Sequence, residues 1–409
     1  MQAIKTSGPN ESAMDSQVQH TGIYRWVILA FAWGALLLTF VDRLVWGSLS
    51  VPVGQALGMS LGSLGIFVTA FYVGYVLSNV AGGVASDWMG PRRALALSLL
   101  PLGICTFLFG HIQSVSLGIL LQALMGLAAG CDYAACVKLA ATWFDRRHRG
   151  RAIGLLMTAT SLAVVVTNAV VPKLLEIQSW SRIYEQLGVL TVVFGLVCYA
   201  VVRDGPLEGQ NVPTTRNLRQ LLRHRDILLL ALAGFGSMWG TWGFTFWANA
   251  LMIKGYGLSV AAAGSITVLF GVGAIVSKPL IGLLSDWLGG KRKLLVMICF
   301  FGFCVALLVF GQLHSIEQFR VIAPLLGIAG FAYSPLLAVM IAETAGPSAA
   351  GSATGFTNAF WQLGSVVVPV VVGLVFQSTH SFFFAFLTLA AGPALALLCL
   401  IPVREATRS

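Results

Sequence analysis

Residues 83–93 read Gly83-Val84-Ala85-Ser86-Asp87-Trp88-Met89-Gly90-Pro91-Arg92-Arg93. Residues 282–293 read Gly282-Leu283-Leu284-Ser285-Asp286-Trp287-Leu288-Gly289-Gly290-Lys291-Arg292-Lys293. Both contain Gly-x-x-Ser-Asp-Trp-x-Gly and then a basic pair, and they lie 199 residues apart in a chain of 409. A segment that recurs at half the chain length marks an internal repeat. Each copy closes a predominantly apolar run long enough to cross about 30 Å of hydrocarbon as a helix.

Working outward, ten more such runs appear. The spans fall at roughly 25–53, 61–85, 94–112, 115–143, 151–173, 184–202, 227–253, 258–285, 293–313, 319–342, 351–376 and 381–402. Six precede residues 203–226 and six follow. That stretch holds Pro206, Pro213 and five arginines, and reads as a linker between two halves. The expected organisation is a tail at 1–24, an N-terminal six-helix bundle at 25–202, the linker at 203–226, a C-terminal six-helix bundle at 227–402 and a tail at 403–409. The expected fold class is all-α integral membrane, twelve transmembrane helices in two pseudo-symmetric six-helix bundles.

Composition excludes other classes. The chain is 57% hydrophobic and only 10% charged, far from a soluble protein of this length. The two-residue alternation of a membrane β-barrel does not occur. The net charge of +10 would point to nucleic acid in a soluble chain. Here its placement explains it. One side of the spans holds Lys5, Arg25, Arg92, Arg93, Arg146, Arg147, Arg149, Arg151, Arg203, Arg216, Arg219, Arg223, Arg225, Lys291, Arg292, Lys293, Arg404 and Arg408. The other holds Lys173, Arg182, Lys254 and Arg320. Loops rich in lysine and arginine stay cytoplasmic, so both termini are expected in the cytoplasm of a multi-pass plasma (cytoplasmic) membrane protein. The first twenty residues are polar, which argues against a cleaved signal peptide. The seven cysteines all fall inside spans without metal-ligand spacing, and read as small packing residues. No metal, cofactor or nucleic acid is expected. Nor is an enzyme, since there is neither a Walker loop nor a soluble domain large enough to hold a site.

The repeated loop resembles the signature between spans two and three of the major facilitator superfamily, whose weaker echo lies between spans eight and nine. Trp143-Phe144-Asp145-Arg146-Arg147-His148-Arg149-Gly150-Arg151-Ala152 is similar to that superfamily's loop between spans four and five. The resemblance covers the whole chain and implies the major facilitator fold. It also implies a gating role for Asp87, a carboxylate that would face the positive N-terminus of span eleven and hold the cytoplasmic side closed. Arg92, Arg93, Arg149 and Arg151 would complete that network, with Asp286 as the equivalent in the second copy. The plainer reading is that the arginines only anchor topology.

Ionisable groups at bilayer depth are expensive and point to function. Five are present: Asp42 and Arg43 in span one, Asp132 and Lys138 in span four, and Lys278 in span eight. Three positives against two negatives leave one cation over, which a bound anion would balance. The Asp42–Arg43 pair resembles the first span of the anion:cation symporters, in which the arginine binds substrate and the aspartate takes part in proton coupling. A structural pair between Arg43 and Asp132 is the competing reading. Lys278 stands where monocarboxylate and oxalate carriers have a carboxylate-binding arginine, and its repeat mate is Asn79. A carboxylate alone in an apolar helix suits proton exchange, which makes Asp132 a coupling candidate beside Asp42. Lys138, nearer the cytoplasmic end, reads as structural. Tyr72, Tyr75 and Asn79 share a face of span two. Trp239, Trp242, Phe246 and Asn249 share a face of span seven, and Asn358, Trp361 and Gln362 a face of span eleven. From these faces Tyr72, Tyr75, Asn79, Trp242, Asn249, Asn358, Trp361 and Gln362 join Arg43 and Lys278 as candidate substrate contacts, although such stripes also serve packing.

The sequence therefore points to a monomeric secondary transporter in a lipid bilayer, moving a small organic anion, a mono- or dicarboxylate, inward with protons. The alternative is a proton-driven antiporter that exports drugs or other amphipathic metabolites. Span five lacks that group's Gly-Pro pair. A phosphate-ester antiporter would carry an arginine in span seven, and none is there.

Overall fold

Backbone groups in hydrocarbon have no water to bond, so each long apolar run must satisfy its own N–H and C=O groups as a helix. The computed structural model describes residues 9–144, 146–205, 223–288, 291–345 and 350–404. Among them, twelve helices are long and apolar enough to cross a membrane. They are α1 (Pro9–Ala56), α2 (Gly65–Met89), α3 (Pro91–Phe109), α4 (Val115–Trp143), α5 (Arg146–Ile177), α6 (Trp180–Val201), α7 (Arg225–Tyr256), α8 (Val260–Trp287), α9 (Arg292–Phe310), α10 (Ile316–Ala345), α11 (Ala350–Thr379) and α12 (Phe382–Leu400). A 3₁₀ turn, Leu61–Leu64, precedes α2. Helix boundaries follow local chemistry. Gly90 adopts φ 83°, a value that favours glycine, and Pro91 opens α3 directly after it, so the repeated motif makes a tight corner. The hydroxyls of Ser114 and Ser179 accept the N–H groups of Leu117 and Arg182, each at 3.3 Å, and cap α4 and α6.

α1 to α6 and α7 to α12 form the two halves. α3 packs on α6 and α4, and α9 packs on α12 and α10. Long apolar side chains such as Leu77, Phe301 and Leu398 stand exposed, as a surface facing lipid requires. The halves meet through α1 against α7, α2 against α11 and α5 against α8. The last two pairs are equivalent under the repeat, so a pseudo-twofold axis runs between α1 and α7.

The seam is not uniform along its length. Toward the α1–α2 and α7–α8 connections the halves touch backbone to backbone. A methyl group on Gly65 would overlap the Pro369 carbonyl, and one on Gly373 the Gly62 carbonyl. Thr69 Oγ1 donates to the Val366 carbonyl at 2.8 Å between the same helices. One hydrophobic cluster spans both halves, while a second, around Leu230, Phe300, Tyr333 and Ile341, belongs to the C-terminal half alone. Among the described residues, cross-seam hydrogen bonds and ring contacts run from the α1–α2 end only as far as Lys278 and Ser161. The seam is thus closed at the α1–α2 end.

Candidate functional site

Arg43 lies on α1 where the seam reaches the middle of the bundle, and it is 5% exposed. Four rings surround its guanidinium carbon: Trp242 at 4.2 Å, Tyr72 at 4.4 Å, Phe40 at 4.9 Å and Tyr75 at 5.2 Å to their centroids. One Nη donates to the Tyr72 hydroxyl, while Nε is buried with no hydrogen-bond partner. Among the described residues, ion pairs within 4 Å join His111 to Glu185 and Arg292 to Glu343. Neither includes Arg43, so the structural pair with Asp132 is not formed. Aromatic faces stabilise a cation through their quadrupoles, yet they supply no counter-charge.

Lys278 is the second cation on the seam. Its Nζ donates to Ser161 Oγ of α5 at 3.0 Å, reaching from the C-terminal half to the N-terminal half. It also sits 5.5 Å from the centroid of the Phe331 ring on α10. Lys138 behaves differently, because its Nζ donates to the Ser86 carbonyl at 2.8 Å within its own half.

The two carboxylates face different ways, as adjacent positions and different helices dictate. Asp42 turns into the N-terminal half, where Thr191 Oγ1 of α6 donates to Oδ2 at 2.8 Å. Asp132 is 1% exposed, and Cys136 Sγ donates to its Oδ1 at 3.2 Å. Its Oδ2 has no hydrogen-bond partner, and the same is true of Asp42 Oδ1. Tyr75, in the Arg43 cage, stands on α2, and α2 packs against the α4 helix that carries Asp132.

The aromatic and amide candidates divide. Tyr72 and Tyr75 belong to the Arg43 cage, and Phe246 meets Tyr72 with centroids 5.7 Å apart. Trp242 Nε1 donates to Met238 Sδ at 2.9 Å while its face covers Arg43. Trp239 instead bonds the Thr388 carbonyl of α12 at 2.8 Å, and Trp361 the Leu230 carbonyl of α7 at 3.2 Å. Both indoles are therefore committed inside the C-terminal half. Gln362 is 8% exposed and its Oε1 has no partner, as is true of Asn79 Nδ2. Asn358 is half-buried. Asn249 is fully engaged: Nδ2 donates to Asn168 Oδ1 at 2.8 Å and to Ser48 Oγ at 3.4 Å, and Oδ1 accepts from Thr267 Oγ1 at 2.6 Å.

The side chains of Asp87, Arg149, Arg151 and Asp286 lie outside the described residues. Arg92 is described, and it caps α6. Its N–H donates to Asp204 Oδ1 and its Nε to the Tyr199 carbonyl, both at 2.9 Å. Arg93 is exposed.

Sequence reasoning did not single out Phe40, Ser161 or Phe331. Only the positions of their helix neighbours make them part of the site. A signal for Phe40 existed, since it stands three residues before Arg43 and so one helical turn away.

The model of the Major Facilitator Superfamily matches residues 31–266 and again 230–409. Over 394 residues the chain is 22% identical to a hexuronate transporter of Bacillus subtilis (strain 168), covering 90% of this chain and 91% of that one. It is 26% identical over 388 residues to a probable hexose phosphate transport protein of Chlamydia pneumoniae, covering 86% and 85%. Among solved structures it is similar to a bacterial homologue of the human lysosomal transporter Spinster, inward-facing and unoccupied. The TM-score is 0.75 at 14% identity, with 93% of this chain and 95% of that one covered.

Proposed function

The chain belongs to the Major Facilitator Superfamily, and from that premise we propose that it imports a small organic anion together with protons across the cytoplasmic membrane by alternating access. The substrate is a mono- or dicarboxylate. The observation that carries this reading is the state of Arg43: a buried guanidinium ringed by four aromatic side chains, with no carboxylate oxygen within 4 Å among the described residues and an unpartnered Nε. A buried cation without a counter-charge is costly, and a substrate carboxylate relieves that cost. Arginine's planar fork suits a carboxylate.

The cycle follows from the split of charges. The N-terminal half supplies Arg43 and the carboxylates, and the C-terminal half supplies Lys278. An anion held between Arg43 and Lys278 joins the halves, and its binding favours their rocking about the midplane. Asp132, with one open oxygen and on the helix that packs against α2 of the Arg43 cage, takes the coupling proton. Tyr72, Asn79, Asn358 and Gln362 offer polar groups to the remainder of the substrate. With the orientation that lysine and arginine placement implies, both termini are cytoplasmic and the closed end faces outward. Asp87 and the basic residues of the repeated loops gate the cytoplasmic end.

A relative named for hexose phosphate brings in a second anion chemistry, the phosphate monoester. Purified protein in liposomes tests both. Uptake is measured for labelled monocarboxylates, dicarboxylates, hexuronates and hexose phosphates, with and without an inward proton gradient. Gradient-driven accumulation of a carboxylate is the expected result. Accumulation of hexose phosphate alone replaces the carboxylate by a phosphate ester. Outward movement of lipophilic cations, with no anion uptake, supports the exporter instead.

A further inference from the structure

Asn249 gathers four helices into one buried polar cluster. It sits on α7, and its amide reaches Ser48 on α1, Asn168 on α5 and Thr267 on α8. Two of those partners lie across the seam. Asn168 is anchored in turn, since its Nδ2 donates to the Val164 carbonyl at 2.9 Å. Asn249 is 1% exposed, and Thr267 is fully buried. An asparagine side chain offers two donor hydrogens and an acceptor oxygen, and here all three are used. Such an amide has no donor left to give a substrate. It has much to give the junction, because no other side chain on α7 hydrogen-bonds two helices of the opposite half among the described residues.

We propose that Asn249 is the latch of the closed end: its amide, with Asn168, Ser48 and Thr267, sets the balance between the closed and open states of the α1–α2 end. The physical basis is the two-faced behaviour of polar groups at a seam. When the end is closed, the four side chains satisfy one another and hold the halves together. When it opens, water replaces the two partners across the seam, Ser48 and Asn168, so neither state leaves a buried group unsatisfied. An apolar seam of the same area would resist opening, because it would expose hydrocarbon surface to water. The polar latch therefore stabilises closure while keeping it reversible. The small-residue contact at Gly65 and Pro369 adds close approach but no hydrogen bond of this kind. The inference rests on the alternating-access reading, but its readout is the shape of the substrate-free protein, so it can fail while anion transport stands, and the reverse.

Gln55 and Lys254 provide the measurement. They are exposed, they sit in the last turns of α1 and α7, and they are repeat mates 199 residues apart. Nitroxides introduced there through unnatural amino acids spare the seven native cysteines. Pulsed electron–electron resonance on the full-length protein in nanodiscs then reports the distance distribution at the closed end. Wild type is expected to show mainly the short distance. Asn249→Ala is expected to raise the ratio of long to short populations about tenfold, the effect of losing roughly one net hydrogen bond. Asn168→Ala, which removes the acceptor on α5 that Asn249 Nδ2 meets across the seam, is expected to move it in the same direction, and it carries the test if Asn249→Ala does not fold. Ser237→Ala is the control, since it removes a buried hydrogen bond inside the C-terminal half (Ser237 Oγ to the Gly234 carbonyl, 2.7 Å) and leaves the seam intact. An unchanged distribution in the folded latch variants overturns the proposal. So does an equal shift in Ser237→Ala, which would mean general softening.

Discussion

Arg43 and Trp242 are repeat mates, 199 residues apart, and they stack on each other with the guanidinium carbon 4.2 Å from the indole centroid. A residue that touches its own symmetry mate lies beside the symmetry axis, so the cation sits at the centre of the seam between the two halves. Two arginines at this place would repel. The second half supplies an aromatic face instead, which holds the cation without neutralising it. The proposed anion site rests on this asymmetry at a symmetric position.

Trp242 is thereby given a measurable part. Trp242→Ala removes one face of the cage, while Trp242→Phe keeps a ring of similar stacking capacity. The alanine variant is expected to weaken half-saturation for the transported anion about fivefold, from a cation–π contribution of about 1 kcal/mol. The phenylalanine variant is expected to lie within about twofold of wild type, since any aromatic face attracts the cation. Concentration-dependent uptake distinguishes them, and equal values for the two variants would remove the ring from the account.

The directions of Asp42 and Asp132 separate their roles. Each keeps one oxygen without a hydrogen-bond partner, but Asp42 is tied to Thr191 of α6, whereas Asp132 is held only by Cys136 of its own helix. Asp132→Asn is expected to abolish uphill accumulation under a proton gradient while leaving exchange of labelled for unlabelled substrate. Asp42→Asn keeps an acceptor for Thr191 and is expected to retain gradient-driven uptake. Loss of coupling in Asp42→Asn with coupling intact in Asp132→Asn would reverse the assignment.

Gly65 tests whether closure at the α1–α2 end matters to the cycle. Any side chain there meets the Pro369 carbonyl on α11, a backbone group that cannot rotate away. Gly65→Val is expected to wedge that end apart. Substrate binding to purified protein should persist, while net uptake falls by about fivefold or more, since an overpacked contact costs about 1–3 kcal/mol. Wild-type uptake by a well-folded Gly65→Val protein would show that the tight contact is dispensable.

Much of this architecture could be read from the sequence, for physical reasons. A helix that spans a bilayer needs an apolar run of fixed length, so twelve spans stand out, and the Ser-Asp-Trp repeat sets the register of the halves. Arg43 and Lys278 were legible because charge at bilayer depth is rare. The neighbours of each group were less legible. Trp239, Trp242, Phe246 and Asn249 share one stripe on α7, yet Trp239 turns to α12, Trp242 and Phe246 face the seam, and Asn249 ties four helices. Periodicity defines a stripe but not which neighbouring helix each member meets. The partners of Asn249 are separated from it by 18 to 201 residues, and no local pattern announces them. Arg92 is a similar case: its place in the basic motif draws attention, but its nearest task is the end of α6.

The central claim is that Arg43 receives the anion. The most direct measurement is uptake of the transported labelled carboxylate by liposomes holding equal amounts of folded wild-type, Arg43→Ala and Lys278→Ala protein. The account predicts gradient-driven accumulation by wild type and a loss of apparent affinity of about thirtyfold or more for Arg43→Ala, since truncating one partner of a buried charge pair costs about 2 kcal/mol or more. It predicts a loss in the same direction for Lys278→Ala. Uptake by both variants at wild-type affinity would contradict it.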